Sequence, residues 1–163
     1  MGDSTLVAVL SPNRTAEWLW GAGLVFQIPT HTDARLGTEK WGVGPAAVVV
    51  RTVGNWVYGG IVNNTFSFAG QGDAASIDFF SLQYFVNYNL PRGWYLLSNG
   101  TITSNWQAIS SNKWAVPIGG GLGKAFSLGD QGFSLQLQGF YNVVEPDNLP
   151  RWYIQLALQH MFY

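Results

Sequence analysis

The chain contains no cysteine. Disulfide frameworks, thiolate catalysis and zinc–sulfur or iron–sulfur sites are thereby excluded. Charge is scarce as well. Asp, Glu, Lys and Arg make up 10% of residues, against about 25% in an ordinary soluble domain. Lys and Arg number 8 and Asp and Glu number 9, for a formal net charge of −1. A nucleic-acid partner held by counterion release needs a basic surface, which this balance does not supply. The low charge equally excludes a charge-solvated disordered chain. Long apolar runs are missing too. The longest lies at Pro45–Val50, far short of the roughly 18 residues of a spanning helix. The start, Met1-Gly2-Asp3-Ser4, has no basic region followed by an apolar stretch, so no signal peptide is visible.

What the chain has is apolar residues (47%), aromatics (15%, with 8 tryptophans) and 20 glycines in 163 residues, a length suited to one domain. Period-2 alternation dominates and predicts an all-β chain. The strand-like segments are roughly 4–11, 17–29, 40–51, 55–69, 76–90, 94–107, 113–127, 132–144 and 151–163. Turn chemistry separates them, as in Thr52-Val53-Gly54-Asn55, Leu90-Pro91-Arg92-Gly93 and Gly129-Asp130-Gln131-Gly132. Such regular spacing predicts consecutive antiparallel neighbours, an up-and-down meander.

The two faces of these segments differ in kind. In 132–144 one face reads Phe133, Leu135, Leu137, Gly139, Tyr141, Val143, and the other Ser134, Gln136, Gln138, Phe140, Asn142. In 151–163 Trp152, Ile154, Leu156 and Leu158 oppose Tyr153, Gln155, Ala157 and Gln159. In 94–107 the polar face carries Asn99, Thr101, Thr103, Asn105 and Gln107. A wet face on a soluble sheet normally carries Lys and Glu. Amides and hydroxyls without charge fit the lumen of a barrel whose apolar face meets lipid. The segments also exceed the roughly 5–6 residues of ordinary strands and suffice for the roughly 9–11 of a tilted bilayer-spanning one.

Tryptophan placement points the same way. Trp18, Trp20, Trp41, Trp56, Trp94, Trp114 and Trp152 open their segments and Trp106 closes one. Rings with one N–H donor favour the water–hydrocarbon boundary, so these residues are expected to form two aromatic girdles. The alternative is the core tryptophans of a soluble barrel. Odd-numbered connections are mostly tight and even-numbered ones generally longer, led by Thr30–Glu39. Barrels of the outer membrane pair short periplasmic turns with longer external loops. This expectation puts His31, Asp33, Arg35 and Glu39 outside and the C-terminus in the periplasm.

Chemistry is thin. Gly119-Gly120-Gly121-Leu122-Gly123-Lys124 fails as a phosphate loop, since Ile118 and Ala125 stand where Gly and Ser or Thr are needed. Ala115, Gly119, Gly121, Gly123 and Ala125 instead share one face and leave room for inward side chains of neighbours. His31 reads as a solvated loop residue, and His160 as an interfacial one. A triad of His31 with Asp33 and Ser76 or Ser110 can be drawn, but no spacing supports it. No catalytic residue, metal ligand or cofactor is expected.

The stretches Phe85-Val86-Asn87-Tyr88-Asn89-Leu90-Pro91-Arg92-Gly93-Trp94-Tyr95-Leu96, Trp114-Ala115-Val116-Pro117-Ile118-Gly119-Gly120-Gly121-Leu122-Gly123-Lys124 and Gln136-Leu137-Gln138-Gly139-Phe140-Tyr141-Asn142-Val143-Val144 resemble a Gram-negative outer-membrane barrel family. That family is associated with the meta pathway of phenol degradation and regarded as transporters. Ile28-Pro29-Thr30, Arg35-Leu36-Gly37-Thr38 and Trp41-Gly42-Val43-Gly44-Pro45 are similar to it too. The resemblance implies a passive channel for small hydrophobic or aromatic compounds, with the bilayer and the barrel-assembly machinery as partners. It also implies an assembly signal at Phe162 and Tyr163. Family members are longer, so the chain is expected to be the C-terminal part of a barrel of about 12 strands, even in number. Otherwise segment 4–11 is not a full wall strand and eight strands close. A soluble lipocalin-like carrier, with its apolar face inward, and a lipid-modifying enzyme of the outer membrane stand as alternatives.

Overall fold

The computed structural model describes residues 2–12, 17–32, 37–70, 76–129 and 131–161. The expected segments form β1 (Ser4–Leu10), β2 (Trp18–Ile28), β3 (Lys40–Val53), β4 (Trp56–Gly70), β5 (Asp78–Asn89), β6 (Trp94–Asn105), β7 (Trp114–Leu128), β8 (Gln131–Val144) and β9 (Trp152–Met161). All pair antiparallel in chain order within a single 9-stranded sheet. Segment 4–11 thus contributes a strand of 7 residues to the sheet, paired from Ser4↔Ile28 to Leu10↔Ala22.

The alternation of side chains explains the strands, and glycine explains two of the turns. Val53↔Trp56 closes a two-residue hairpin over Gly54 and Asn55, with Gly54 at φ 55°. Leu128↔Gln131 closes another, with Gly129 at φ 61°. Left-handed backbone at the first central position is what a primed hairpin turn requires, and glycine adopts it without a Cβ clash. These tight turns lie at one end of the sheet. The longer connections between β2 and β3, β4 and β5, β6 and β7, and β8 and β9 lie at the other, the wide end.

The sheet is strongly coiled. β1 and β3, β2 and β4, and β6 and β8 approach within 8 Å at Cα, less than two strand spacings of about 4.8 Å each. One face is therefore enclosed and the other bared. Val25, Ala46, Leu97, Ala115, Ser134, Gln138, Phe140 and Asn142 are buried on the inward face. Leu135, Leu137, Ile154 and Leu156 are exposed on the outward one. The sheet is not closed. β1 and β9 run in the same direction because nine strands alternate, so the two edges cannot meet as an antiparallel pair.

Candidate functional site

Register and alternation place all 8 tryptophans on the outward face. Trp18, Trp20, Trp56 and Trp94 begin even-numbered strands at the tight-turn end. Trp41, Trp106, Trp114 and Trp152 lie at the wide end. Other rings extend both rows. Trp18 meets Tyr58 edge-on at 6.3 Å, and Trp56 lies 4.7 Å from Tyr88. At the wide end Phe80, Trp106 and Trp114 form a mutual edge-to-face cluster at 5.4–6.4 Å. Such pairs add about 0.5–1.5 kcal/mol beyond area burial.

Between the rows the outward face is apolar apart from the Tyr84 and Ser98 hydroxyls: Leu24, Val49, Val62, Leu82, Leu96, Ile118, Leu122, Leu135, Leu137, Ile154 and Leu156. Its cations sit at the tight-turn margin. Arg51 lies 4.7 Å over the Trp18 ring and donates to Glu17 at 3.1 Å. Lys124, the clearest charge inside an expected segment, has its Nζ 4.8 Å over the Trp94 ring and donates to the Arg92 carbonyl. Both are long stems that lead a cation back toward the edge of a greasy face. His160 stacks on Phe133 at 4.8 Å near the same margin.

The inward face carries the expected amides. Asn99, Thr101, Thr103, Asn105, Gln136, Gln138, Asn142, Gln155 and Gln159 all fall on it by register. Gln107 does not line a strand. It lies in the turn after β6, where its backbone N–H donates to Asn105 Oδ1 at 3.0 Å. The small-residue face of β7 serves as anticipated. Tyr95 crosses it at Gly123, where a Cβ would collide with the tyrosine ring, and its hydroxyl reaches Ser134 Oγ. Phe140 stacks on Tyr153 at 5.1 Å. The polar lining is denser on β5–β9, however; on β1–β4 it comes down to Thr5, Gln27, Thr52, Asn63, Thr65 and Ser67. On β1–β4 the same face presents Val7, Val9, Leu19, Val25, Val48, Val50, Val57 and Ile61. Runs such as Ala46–Val50 are apolar at every position, so period 2 cannot announce which residues turn inward.

The wide-end mouth concentrates polarity. Asp3 Oδ1 accepts His31 Nδ1–H at 2.7 Å, and Asp3 Oδ2 accepts the Thr38 N–H at 2.7 Å, the Thr38 hydroxyl at 3.1 Å and Gln27 Nε2 at 3.3 Å. Burial alone would raise the Asp3 carboxyl. Donation from the Thr38 backbone, His31, Gln27 and the Thr38 hydroxyl outweighs it and holds the group at about 2. Sequence reasoning missed this pair, because its members lie 28 positions apart. The carboxylate beside His31 is Asp3, whereas Asp33 and Arg35 lie outside the described residues, as do Phe162 and Tyr163. Ser110 sits in a 3-10 turn between β6 and β7. Ser76 lines a hollow with Gln27, Thr38, Ile77, Asp78, Phe79 and Asn105. A second hollow shares Phe79 and Asn105 and runs on past Thr103 and Lys113 to Pro146. Above it Asn112 and Asp147 exchange two hydrogen bonds of 3.1 Å and tie neighbouring connections together. Among the described residues no His, Asp or Glu cluster could hold a metal ion.

No family model, curated protein or solved structure matches this chain.

Proposed function

We propose that this chain forms wall of an outer-membrane β-barrel and serves as a passive channel or transporter for small hydrophobic or aromatic compounds, without catalysis. The observation that carries the reading is the outward face: two rows of tryptophan with an uncharged apolar band between them. β6 joins the rows at Trp94 and Trp106 and has 12 residues. At about 3.3 Å per residue and a tilt of about 45° it spans ~28 Å, close to the ~25 Å band of outer-membrane barrels. Unpaired strand edges in hydrocarbon cost several kcal/mol per group. Pairing of β1 and β9 with further strands completes the wall, in keeping with the longer barrels of the family that the sequence resembles. The largely aliphatic inward face of β1–β4, polar only at uncharged residues within its strands, suits a greasy solute better than an ion.

The test is reconstitution into vesicles containing brominated lipids. Most tryptophan fluorescence is expected to be quenched, more by bromines near the headgroups than by bromines at the chain ends. A detergent-free monodisperse monomer with unquenched tryptophan would sink the proposal and favour the soluble carrier.

A further inference from the structure

The β6–β7 seam is broken in the middle of the wall. Pairing stops at Leu97↔Gly121 and resumes at Thr103↔Ala115. Asn105 N–H donates to Lys113 O at 2.9 Å, so the odd-numbered residues of β6 turn their backbone toward β7. In register, Asn99 would exchange bonds with Gly119, and Thr101 with Pro117. Neither exchange is complete. Pro117 has no N–H to give, and a bulge follows Val116.

Side chains occupy the backbone groups instead. Gln138 Oε1, from β8, passes beneath β7 at Gly121 and accepts the Asn99 N–H at 3.0 Å. Ser98 Oγ donates to the Gly119 carbonyl at 2.6 Å, and the Tyr84 hydroxyl donates to the Pro117 carbonyl at 3.2 Å. Gln138 is 2% exposed, and the Asn99 amide oxygen beside it is buried without a partner. On the outer face, beside the seam and over the β7–β8 pair, lies an apolar hollow of about 340 Å³, lined by Gly120, Leu122, Leu137, Gly139 and Ile154, and reaching Gly121 and Gln138.

We propose that the β6–β7 seam between Ser98–Ile102 and Val116–Gly120 is a lateral gate, held shut by Gln138, Ser98 and Tyr84, through which a small uncharged aromatic solute passes between the inward face and the lipid. Opening trades three rotatable side-chain bonds rather than a continuous ladder. The hollow outside offers the solute an apolar first stop with no charge to desolvate. The gate rests on the transport reading above and deepens it.

The chain's lack of cysteine permits a direct test. Ser98 and Gly120 are directly opposed, and 3.6 Å separates Ser98 Cβ from the Cβ that residue 120 would carry, within the roughly 3.5–4.5 Å of disulfide-bonded pairs. Ser98→Cys with Gly120→Cys is compared with Leu135→Cys with Leu158→Cys, which staples the fully paired β8–β9 seam. The readout is uptake of radiolabelled naphthalene by outer-membrane vesicles. Oxidation of the first pair is expected to abolish uptake and reduction to restore it in the same protein, while the second pair takes up naphthalene in both states. Equal uptake by the oxidised and reduced forms of the first pair, or loss on oxidation of both pairs, overturns the gate and leaves transport standing. No uptake in any state removes the transport reading and the gate together.

Discussion

The indole N–H of Trp106 donates to Oδ1 of Asn64 at 2.8 Å, and Asn64 Nδ2 donates in turn to Asp78 Oδ1 at 2.9 Å. The polar end of an outward ring is thus fixed at the wide-end margin while its body packs on Phe80 and Trp114. Trp106→Phe keeps most of the ring contact but leaves Asn64 with an unmet acceptor. It is expected to cost about 1 kcal/mol, and Trp106→Ala about 3 kcal/mol, in urea unfolding from lipid vesicles. A neutral Trp106→Phe would refute a role for the hydrogen bond.

Leu137 and Gln155 lie near mid-wall on opposite faces. Leu137 is 54% exposed, so in water an arginine there would be nearly free. In lipid, Leu137→Arg is expected to destabilise by about 2–4 kcal/mol, and Gln155→Arg by under about 1 kcal/mol. Folding yield into vesicles measures the difference, and a neutral Leu137→Arg would argue against a lipid-facing band.

Two glycines separate close approach from open space. A Cβ at Gly123 meets the Tyr95 ring, whereas a Cβ at Gly139 meets nothing within 4 Å. Gly123→Ala must expel Tyr95 from Ser134 and is expected to cost about 1–3 kcal/mol. Gly139→Ala should stay within about 0.5 kcal/mol. Unfolding midpoints of the two variants decide the point.

Asp3 supplies a pH dependence. Its folded pKa of about 2 lies below the ordinary 3.8. The unfolded chain therefore binds the proton first, and stability rises with pH across that interval. The contribution is complete above about 3.8 and is lost as pH falls through about 2. Asp3→Asn is expected to lower stability at pH 6 by an amount that shrinks below pH 4. A constant gap down to pH 2 would show that the Asp3 contacts carry no net linkage.

Much of this architecture was legible beforehand. The nine segments, their order, the exposed Leu135 and Leu156 and the enclosed Gln138 and Asn142 all follow from alternation, and the observed ends lie within a few residues of the expected ones. The crossing of Tyr95 at Gly123 was foreshadowed by the run of small residues on one face of β7. Other features were not legible. Asp3 and His31 meet because β1 and the connection after β2 share the wide end, a relation that no local spacing encodes. Pro117 was visible, but the break it contributes to depends on which residue of β6 stands opposite.

The sequence by itself determined the strands and their two chemistries, because a strand's side chains alternate whatever lies beside it. Only the tertiary structure decided how tightly the sheet curls, that the more aliphatic lining of β1–β4 adjoins the amide-rich lining of β5–β9, and that side chains bridge the β6–β7 seam. Those outcomes depend on register and curvature, which couple residues on different strands and leave no periodic trace along any one of them.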